Sequence, residues 1–354
     1  MATTYKTLLN NDVTSTRTLL HEAIPITGTI ISGTYSEAST TMSNIKNYGH
    51  AMFQSVYDYP YLSSSSNHIF DLACGYAPDS ALSKSSGVAT DQSKKINIYN
   101  QMAQLLVGHD VSGNIRQFDQ DGDHTTGTKM KEVFFINYAR LLNKDEIKKG
   151  TFSISFLTGG TPADRSLGDG GALLSIADHN AQNEFRINSP AGEYGILYTS
   201  SATPSSISGV GHIYYQAGII VLSASVFTHE FGGNPATYFT NSVDAVLSGS
   251  TITASCDGIR NAWNNSQYNN TTELNSTIYF CRANHNDFNY STNPTYLSGS
   301  KIRIKNNTFD TPVSYITTVG LYSADNELLA VAKLSEPIKK QPDTELTLRV
   351  RLDY

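Results

Sequence analysis

The chain has 354 residues, a formal net charge of −6 at pH 7, and 16% charged residues against 39% hydrophobic and 10% aromatic residues. This apolar content excludes a disordered chain, and the negative charge argues against nucleic acid as a partner, because binding to phosphates requires clustered Lys and Arg. The sequence contains no long apolar run and its first residues lack the apolar core of a signal peptide, so we predict neither a membrane span nor secretion.

Residues 1–110 are predicted to be an N-terminal region of extended segments and helices. Residues 24–31 are rich in β-branched side chains and contain Pro and Gly, which favours an extended segment. Apolar spacing predicts a helix over residues 45–56, with one face formed by Ile45, Tyr48, Met52, Phe53 and Val56. A second helix is predicted from Asp91, its N-cap, to Gly108, with one face formed by Ile98, Met102 and Leu105.

Residues 111–150 are predicted to form an acidic loop followed by a third helix. Asp119, Asp121 and Asp123 alternate along the loop, and alternating carboxylates can converge on a hard cation such as calcium. The match to a helix–loop–helix calcium loop is partial, because His124 replaces the sharp-turn Gly and Met130 replaces the bidentate Glu. A charged turn before a helix N-terminus explains the same pattern and is the favoured interpretation, so no cofactor or bound metal is predicted.

The third helix is predicted from the apolar spacing between Met130 and Leu142, followed by a stop at Gly150. Residues 151–354 are predicted to form an antiparallel β domain with long loops, because the pattern changes to short apolar runs separated by Gly and Pro. The predicted strands cover residues 151–156, 193–198, 212–222, 277–281 and 301–305, followed by a C-terminal hairpin and a last strand.

A search for catalytic groups gives only fragments, and we predict that the protein is not an enzyme. His229-Glu230 begins like a zinc-protease helix, but position 233 is Gly where the second His is required. The Gly-rich segment 159–171 is predicted to connect strands, as such loops usually do. The three cysteines are predicted to be small buried thiols, while a Cys256–Cys281 disulfide would require an oxidising site of assembly.

The C-terminal residues have the clearest pattern in the chain. Two apolar runs flank the polar turn Ser323–Glu327, which predicts a hairpin. In the last strand Leu346, Leu348, Val350 and Leu352 alternate with polar residues and are predicted to face a core, with Arg349 and Arg351 outward. The strand is predicted to pair with 315–322 or 328–334, and Tyr354 is predicted to pack on the apolar face.

The segment Tyr315-Ile-Thr-Thr-Val-Gly-Leu-Tyr-Ser-Ala-Asp-Asn-Glu-Leu-Leu-Ala-Val-Ala-Lys-Leu334 resembles segments in virion structural proteins of tailed bacteriophages, including tail-collar and fibre-attachment domains. The resemblance is sharpest over Ser314–Tyr354 and extends weakly to Thr158–Phe227 and Ser15–Gly28. It implies a structural part of a phage particle that is assembled in the host cytoplasm.

The expected fold is α+β and mainly antiparallel β, with helices concentrated in the N-terminal part and a β-sandwich-like C-terminal region. The expected function is assembly of a phage tail, baseplate or neck, through contacts with copies of itself and with other virion proteins. Neither nucleic acid nor a membrane is an expected partner. The alternative is a carbohydrate- or receptor-binding module of a phage tail, suggested by Tyr, Asn and Ser in predicted loops across 258–299.

Overall fold

The computed structural model describes residues 5–27, 34–37, 40–84, 89–157, 173–199, 209–227, 251–291, 297–298, 301–302, 309 and 311–354. The chain divides into two compact units. The terminal unit comprises Met1–Leu19 and Glu273–Tyr354, and the central unit comprises Leu20–Thr272. The boundaries therefore fall at 19/20 and 272/273, whereas the boundaries predicted from the sequence are at 110 and 150.

A seven-stranded antiparallel sheet forms the centre of the central unit. Its apolar runs are buried, with Val133, Phe134, Phe135 and Ile136 following one another in the middle strand. In spatial order its strands are β13 (Tyr194–Leu197), β14 (Gly211–Tyr214), β15 (Ile219–Ser223), β9 (Glu132–Tyr138), β6 (His68–Tyr76), β5 (Gln54–Tyr57) and β4 (Ile45–Asn47). Hydrogen-bonded neighbours along the sheet satisfy the backbone groups that these buried strands remove from water.

A second layer of the central unit packs on this sheet through aromatic rings. It contains β10 (Glu146–Ile147), β11 (Ser153–Leu157), β12 (Leu173–Ala177) and the first part of β16 (Trp263–Ala283). The Trp263 ring stacks on Phe70 at 4.7 Å between centroids, and the Tyr138 hydroxyl donates to Ser266 Oγ at 3.0 Å. Two further antiparallel pairs are β2 (Thr34–Glu37) with β3 (Thr40–Ser43), and β7 (Phe118–Asp119) with β8 (Lys129–Met130).

The helices are few among the described residues. They are α1 (Ala89–Leu106), α2 (Arg140–Asn143), α3 (Ala181–Glu184) and α4 (Ile252–Ala262), together with 3₁₀ turns at Asn10–Asp12, Ala81–Lys84 and Ala224–Phe227. The predicted helix from Asp91 to Gly108 is confirmed in α1, which ends before Gly108 at φ +80°. Its predicted face is partly wrong, because Leu105 is exposed and the buried side chains are Lys95, Ile98, Tyr99, Ala103 and Leu106.

The predicted helix over residues 45–56 is wrong. Ile45 and Val56 are cross-strand neighbours in the β4–β5 hairpin, so their burial reflects strand pairing and not one helical face. The predicted helix from Met130 to Leu142 is also wrong, because β9 occupies most of it. A strand that is covered on both faces buries consecutive residues, and such a run matches helical spacing by coincidence.

The fold is therefore mainly antiparallel β, as predicted, but the helices are not concentrated in the N-terminal part. Before α1, the described residues form β1 (Val13–Thr27) and β2 to β6. The predicted strands at 151–156 and 193–198 are confirmed as β11 and β13, and the 212–222 run is a hairpin of β14 and β15. Residues 24–27 are extended as predicted, while 28–31 lie outside the described residues.

The terminal unit is built from both chain ends. The later part of β16 pairs with β21 (Leu346–Asp353), and β1 lies beside β16, with Ser15 Oγ 3.2 Å from Thr277 Oγ1. A separate two-stranded sheet consists of β19 (Ser314–Tyr322) and β20 (Leu328–Lys340), and a short pair consists of β17 (Leu297–Ser298) and β18 (Lys301–Ile302). The predicted strands at 277–281 and 301–302 lie in β16 and β18, while 303–305 are outside the described residues.

The C-terminal strand confirms the predicted alternation but not the predicted partner. In β21 Val350 is buried and the residues at 347, 349, 351 and 353 are exposed. The strand pairs with β16, Val350 opposite Tyr279, and not with either strand of the β19–β20 hairpin. Tyr354 is 74% exposed, so the expected packing of its ring is wrong, although its backbone bonds to Asn275 in both directions.

Candidate functional site

The acidic loop between β7 and β8 is the first candidate site, and it belongs to the central unit. Asp119 and Lys129 are opposite each other at its base. The loop turns through Gly122, His124 and Gly127, which all have positive φ, with His124 at +63°. His124 therefore adopts the left-handed conformation at the position that is Gly in a helix–loop–helix calcium loop. The turn forms without a glycine at this position.

The loop brings the three predicted aspartates together. One carboxylate oxygen from each of Asp119, Asp121 and Asp123 lies within 4.8 Å of the others. Asp119 is fully buried, and its Oδ2 accepts from Lys129 Nζ at 2.7 Å and from the His124 backbone N–H at 3.0 Å. Asp121 and Asp123 are exposed. Among the described residues this is the one group of three or more carboxylate, imidazole or thiol side chains arranged so closely.

The hydrogen bonds of the loop differ between the carboxylates, and so do their pKa values. Burial raises the pKa of Asp119 against the opposing effect of Lys129, and the adjacent Asp123 carboxylate raises it further. The pKa of Asp123 is lowered well below its usual range, because its carboxylate accepts from the Thr126 hydroxyl and from the backbone N–H groups of Thr125 and Thr126. Asp123 therefore stays ionised more readily than the buried Asp119.

Backbone carbonyls of the loop are bound by side chains of the seven-stranded sheet. His212 Nε2 donates to the Asp119 carbonyl at 2.5 Å, and the Tyr194 hydroxyl donates to the Gly122 carbonyl at 3.0 Å. Burial lowers the pKa of His212 to about 4, so the imidazole is neutral at physiological pH. Both residues lie in strands predicted from the sequence, but no pattern in the sequence indicates that they bind the acidic loop.

The second candidate site is an apolar hairpin surface in the terminal unit, formed by Tyr322, Leu328, Leu329 and Val331. Tyr322 is opposite Leu328 across the β19–β20 pair, and both side chains cover Gly320. The four side chains are between 44% and 68% exposed. The polar turn predicted at Ser323–Glu327 is confirmed, with the Ser323 N–H donating to the Glu327 carbonyl at 2.8 Å. The strands thus present large apolar groups on a well-formed hairpin.

No protein-family model matches this chain, and no curated protein or solved structure is significantly similar to it. No helix within the described part of the chain is long and apolar enough to cross a membrane.

The remaining candidates from the sequence are a His-Glu pair, a Gly-rich segment and three cysteines. His229, Glu230 and the Gly-rich segment 159–171 lie outside the described residues. Cys74, Cys256 and Cys281 are free thiols, so the Cys256–Cys281 disulfide is not formed. Cys74 and Cys256 are buried as predicted, whereas Cys281 is partly exposed, and burial raises the pKa of all three. Raised thiol pKa values leave little reactive thiolate at neutral pH.

Proposed function

We propose that this protein is a structural component of a tailed-phage virion and assembles the tail, baseplate or neck through protein–protein contacts in many copies. The observation that carries this proposal is the apolar hairpin surface. It lies within Ser314–Tyr354, the segment in which the resemblance to phage virion proteins is sharpest. The proposed role requires contacts between folded chains and no catalytic step.

The β19–β20 hairpin is a two-stranded sheet. Within the described residues neither β19 nor β20 pairs with a further strand, so each has an outer edge of unpaired backbone groups. Isolated two-stranded hairpins are marginally stable in water, and exposed strand edges invite pairing with another chain. Four large apolar side chains on such a hairpin are consistent with a surface that another chain covers.

The edge strand β1 supports the same proposal. It lies at the end of its sheet, and ten consecutive residues, 14–23, are exposed. These include Leu19 and Leu20, which are 43% and 51% exposed. A long exposed edge strand offers backbone donors and acceptors to a strand of a neighbouring subunit. We therefore propose that copies of this chain and other virion proteins are its partners, and that neither nucleic acid nor a membrane is required.

The sandwich-like arrangement predicted for the C-terminal region remains part of this proposal. The alternative is a carbohydrate- or receptor-binding module. It was based on predicted loops across 258–299, of which 258–262 lie in α4 and 263–283 in β16, while 284–291 lie outside helices and strands. It is therefore kept as an outcome of the test.

The test is gold-labelled antibody to this chain, applied to purified virions and imaged by electron microscopy. We expect labels at one level of the tail, at the baseplate or at the neck. Absence of label from intact and disrupted virions, with strong reaction in infected-cell lysate, would contradict a virion location. Binding of the purified chain to a glycan array as a monomer, without assembly, would favour the receptor-binding alternative.

A further inference from the structure

The acidic loop contains a buried carboxylate oxygen that has no partner. Asp119 is fully buried, and its Oδ1 has no hydrogen-bond partner among the described residues, although Oδ2 is bound to Lys129 and the His124 N–H. An unpaired buried polar atom is costly, and an unpaired carboxylate oxygen is especially costly. This observation is independent of the acidic composition of the loop.

The unpaired oxygen lies beside the same space as the Asp121 carboxylate. A Cβ placed on Gly127 would lie 3.6 Å from Asp119 Oδ1 and 3.2 Å from Asp121 Oδ2, so both oxygens border the space beside this glycine. One carboxylate oxygen of each of the three aspartates lies within 4.8 Å of the others. The Lys129 ammonium contacts Asp119 through Oδ2, and the Arg186 guanidinium donates to the Asp121 backbone carbonyl at 3.4 Å. Among the described residues Asp119 Oδ1 therefore has no cationic partner.

We propose that Asp119, Asp121 and Asp123 bind one hard divalent cation, calcium in preference to magnesium. The ligands are carboxylate oxygens, which suit hard cations. Oxygens bound to calcium at about 2.3–2.6 Å can be separated by up to about 5 Å, which accommodates the spacing within 4.8 Å. Magnesium requires shorter bonds and usually retains several waters, so it suits a cluster of three protein carboxylates less well.

The bound cation would fix the loop on the sheet. His212 and Tyr194 already hold the carbonyls of Asp119 and Gly122. A cation that joins the carboxylates of the same loop would restrain both the backbone and the side chains, and it would stabilise the folded state because the unfolded chain lacks the site. This role concerns the central unit and is independent of the proposed function.

The test uses the full-length chain after treatment with EDTA and removal of the chelator. Calcium chloride is titrated by isothermal titration calorimetry, and the thermal midpoint is followed across calcium concentrations. We expect one calcium per chain and a midpoint that rises with calcium, with at least tenfold weaker binding of magnesium. Absence of both calcium binding and a midpoint shift in the wild-type chain at millimolar calcium would overturn the proposal.

Substitutions test whether the three aspartates are responsible for calcium binding. Asp121→Asn should weaken calcium binding at least tenfold, because Asp121 is exposed and its replacement removes one ligand charge. Asp110→Asn is the matched control, since Asp110 is a carboxylate in the central unit that accepts from the Ser112 and Asn114 N–H groups outside the cluster. Equal calcium affinity in the Asp121 and Asp110 variants would also overturn the assignment.

A Lys129 variant distinguishes a bound cation from the alternative in which the Lys129 ammonium is the only positive charge that neutralises the aspartates. If a cation binds, Lys129→Gln removes a competing positive charge and should tighten calcium binding several-fold. If Lys129 is the only cation of the site, the same variant should lose stability and calcium should restore none of it. The second result would contradict the proposal.

Discussion

At the residue scale, Gly75 determines how closely α1 packs on β6. A Cβ on this residue would lie 2.6 Å from the Lys95 carbonyl oxygen and 3.0 Å from the Tyr99 nitrogen. Both atoms belong to the helix backbone, so a side chain at Gly75 cannot be accommodated by rotation of a neighbouring side chain. Glycine at this position is a requirement of helix-on-sheet packing.

We expect Gly75→Ala to lower the free energy of unfolding by about 1–3 kcal/mol, the usual cost of overpacking a core. The measurement is urea denaturation. Gly49→Ala is the control, because a Cβ there meets no atom of the described residues within 4 Å, and its effect should stay within about 0.5 kcal/mol. Equal stability of the two variants would contradict the close approach of α1.

Asp178 is a buried carboxylate with a pH-dependent role. It is 1% exposed, and it accepts from the N–H groups of Gly150 at 2.7 Å and Phe152 at 3.0 Å and from the Tyr215 hydroxyl at 3.2 Å. Burial raises the pKa of Asp178 to about 7, although these three donors lower it. An aspartate in the unfolded chain has a pKa of about 4. Between pH of about 4 and 7 the folded state therefore retains a proton on Asp178 that the unfolded chain has lost.

The proton balance fixes the sign of the pH effect. Between pH of about 4 and 7 the folded state binds more protons than the unfolded state, so the contribution of Asp178 to stability falls as the pH rises, by up to about 4 kcal/mol, and is constant above pH 7. We expect Asp178→Asn to remove this part of the pH dependence, measured by urea denaturation at pH 5 and pH 8. Identical pH profiles for the wild type and the variant would contradict the raised pKa.

At the element scale, the register of β21 determines which of its side chains are buried. In β21 Val350 is buried and Arg349 is exposed, and both lie opposite consecutive residues of β16. The faces of a strand alternate, so a shift by one residue would exchange the two environments. The pairing with β16 therefore determines that the Val350 side chain is buried and the Arg349 side chain is exposed.

We expect Val350→Asp to destabilise the protein by about 2 kcal/mol or more, because it places a carboxylate at a buried position that is occupied by an apolar side chain. Arg349→Ser is the matched control on the adjacent exposed position and should change stability by less than about 0.5 kcal/mol. Thermal unfolding of both variants provides the measurement. A larger loss in the Arg349 variant than in the Val350 variant would mean that the register is shifted.

At the scale of the whole molecule, the two candidate sites belong to different units. The apolar hairpin surface is part of the terminal unit, and the acidic loop is part of the central unit. The proposed assembly and the proposed cation binding can therefore be tested separately. A variant that affects both properties would indicate general misfolding, whereas a variant that affects one property assigns it to one unit.

We expect the double variant Leu329→Asp, Val331→Asp to fold normally but to lose assembly, because both side chains are exposed in the single chain and charges there oppose burial against a partner. Sedimentation of the purified chain and complementation of a phage that lacks it provide the readout. Ser335→Asp, an exposed substitution on the same strand, should assemble normally. Normal incorporation of the double variant would remove the hairpin from the proposed interface.

The sequence by itself determined the local features of this protein. The alternation of Leu346 to Leu352, the polar turn at Ser323–Glu327 and the end of α1 before Gly108 follow from side-chain chemistry within a few residues, and all three were predicted. The same is true of the three aspartates, because their spacing in one loop places them close together. Short-range patterns suffice where neighbours in sequence are neighbours in space.

The tertiary structure decided which segments are strands and which groups surround the acidic loop. Val133–Ile136 are buried on both faces of a central strand, so their sequence cannot be distinguished from a buried helix until the two covering layers are known. The β21–β16 pairs join residues 63 to 77 positions apart, and the contact of His212 with Asp119 joins residues 93 positions apart. The unpaired Oδ1 of that carboxylate depends on its burial. Such pairings arise from the competition of distant segments for the same buried surface, which no local pattern records.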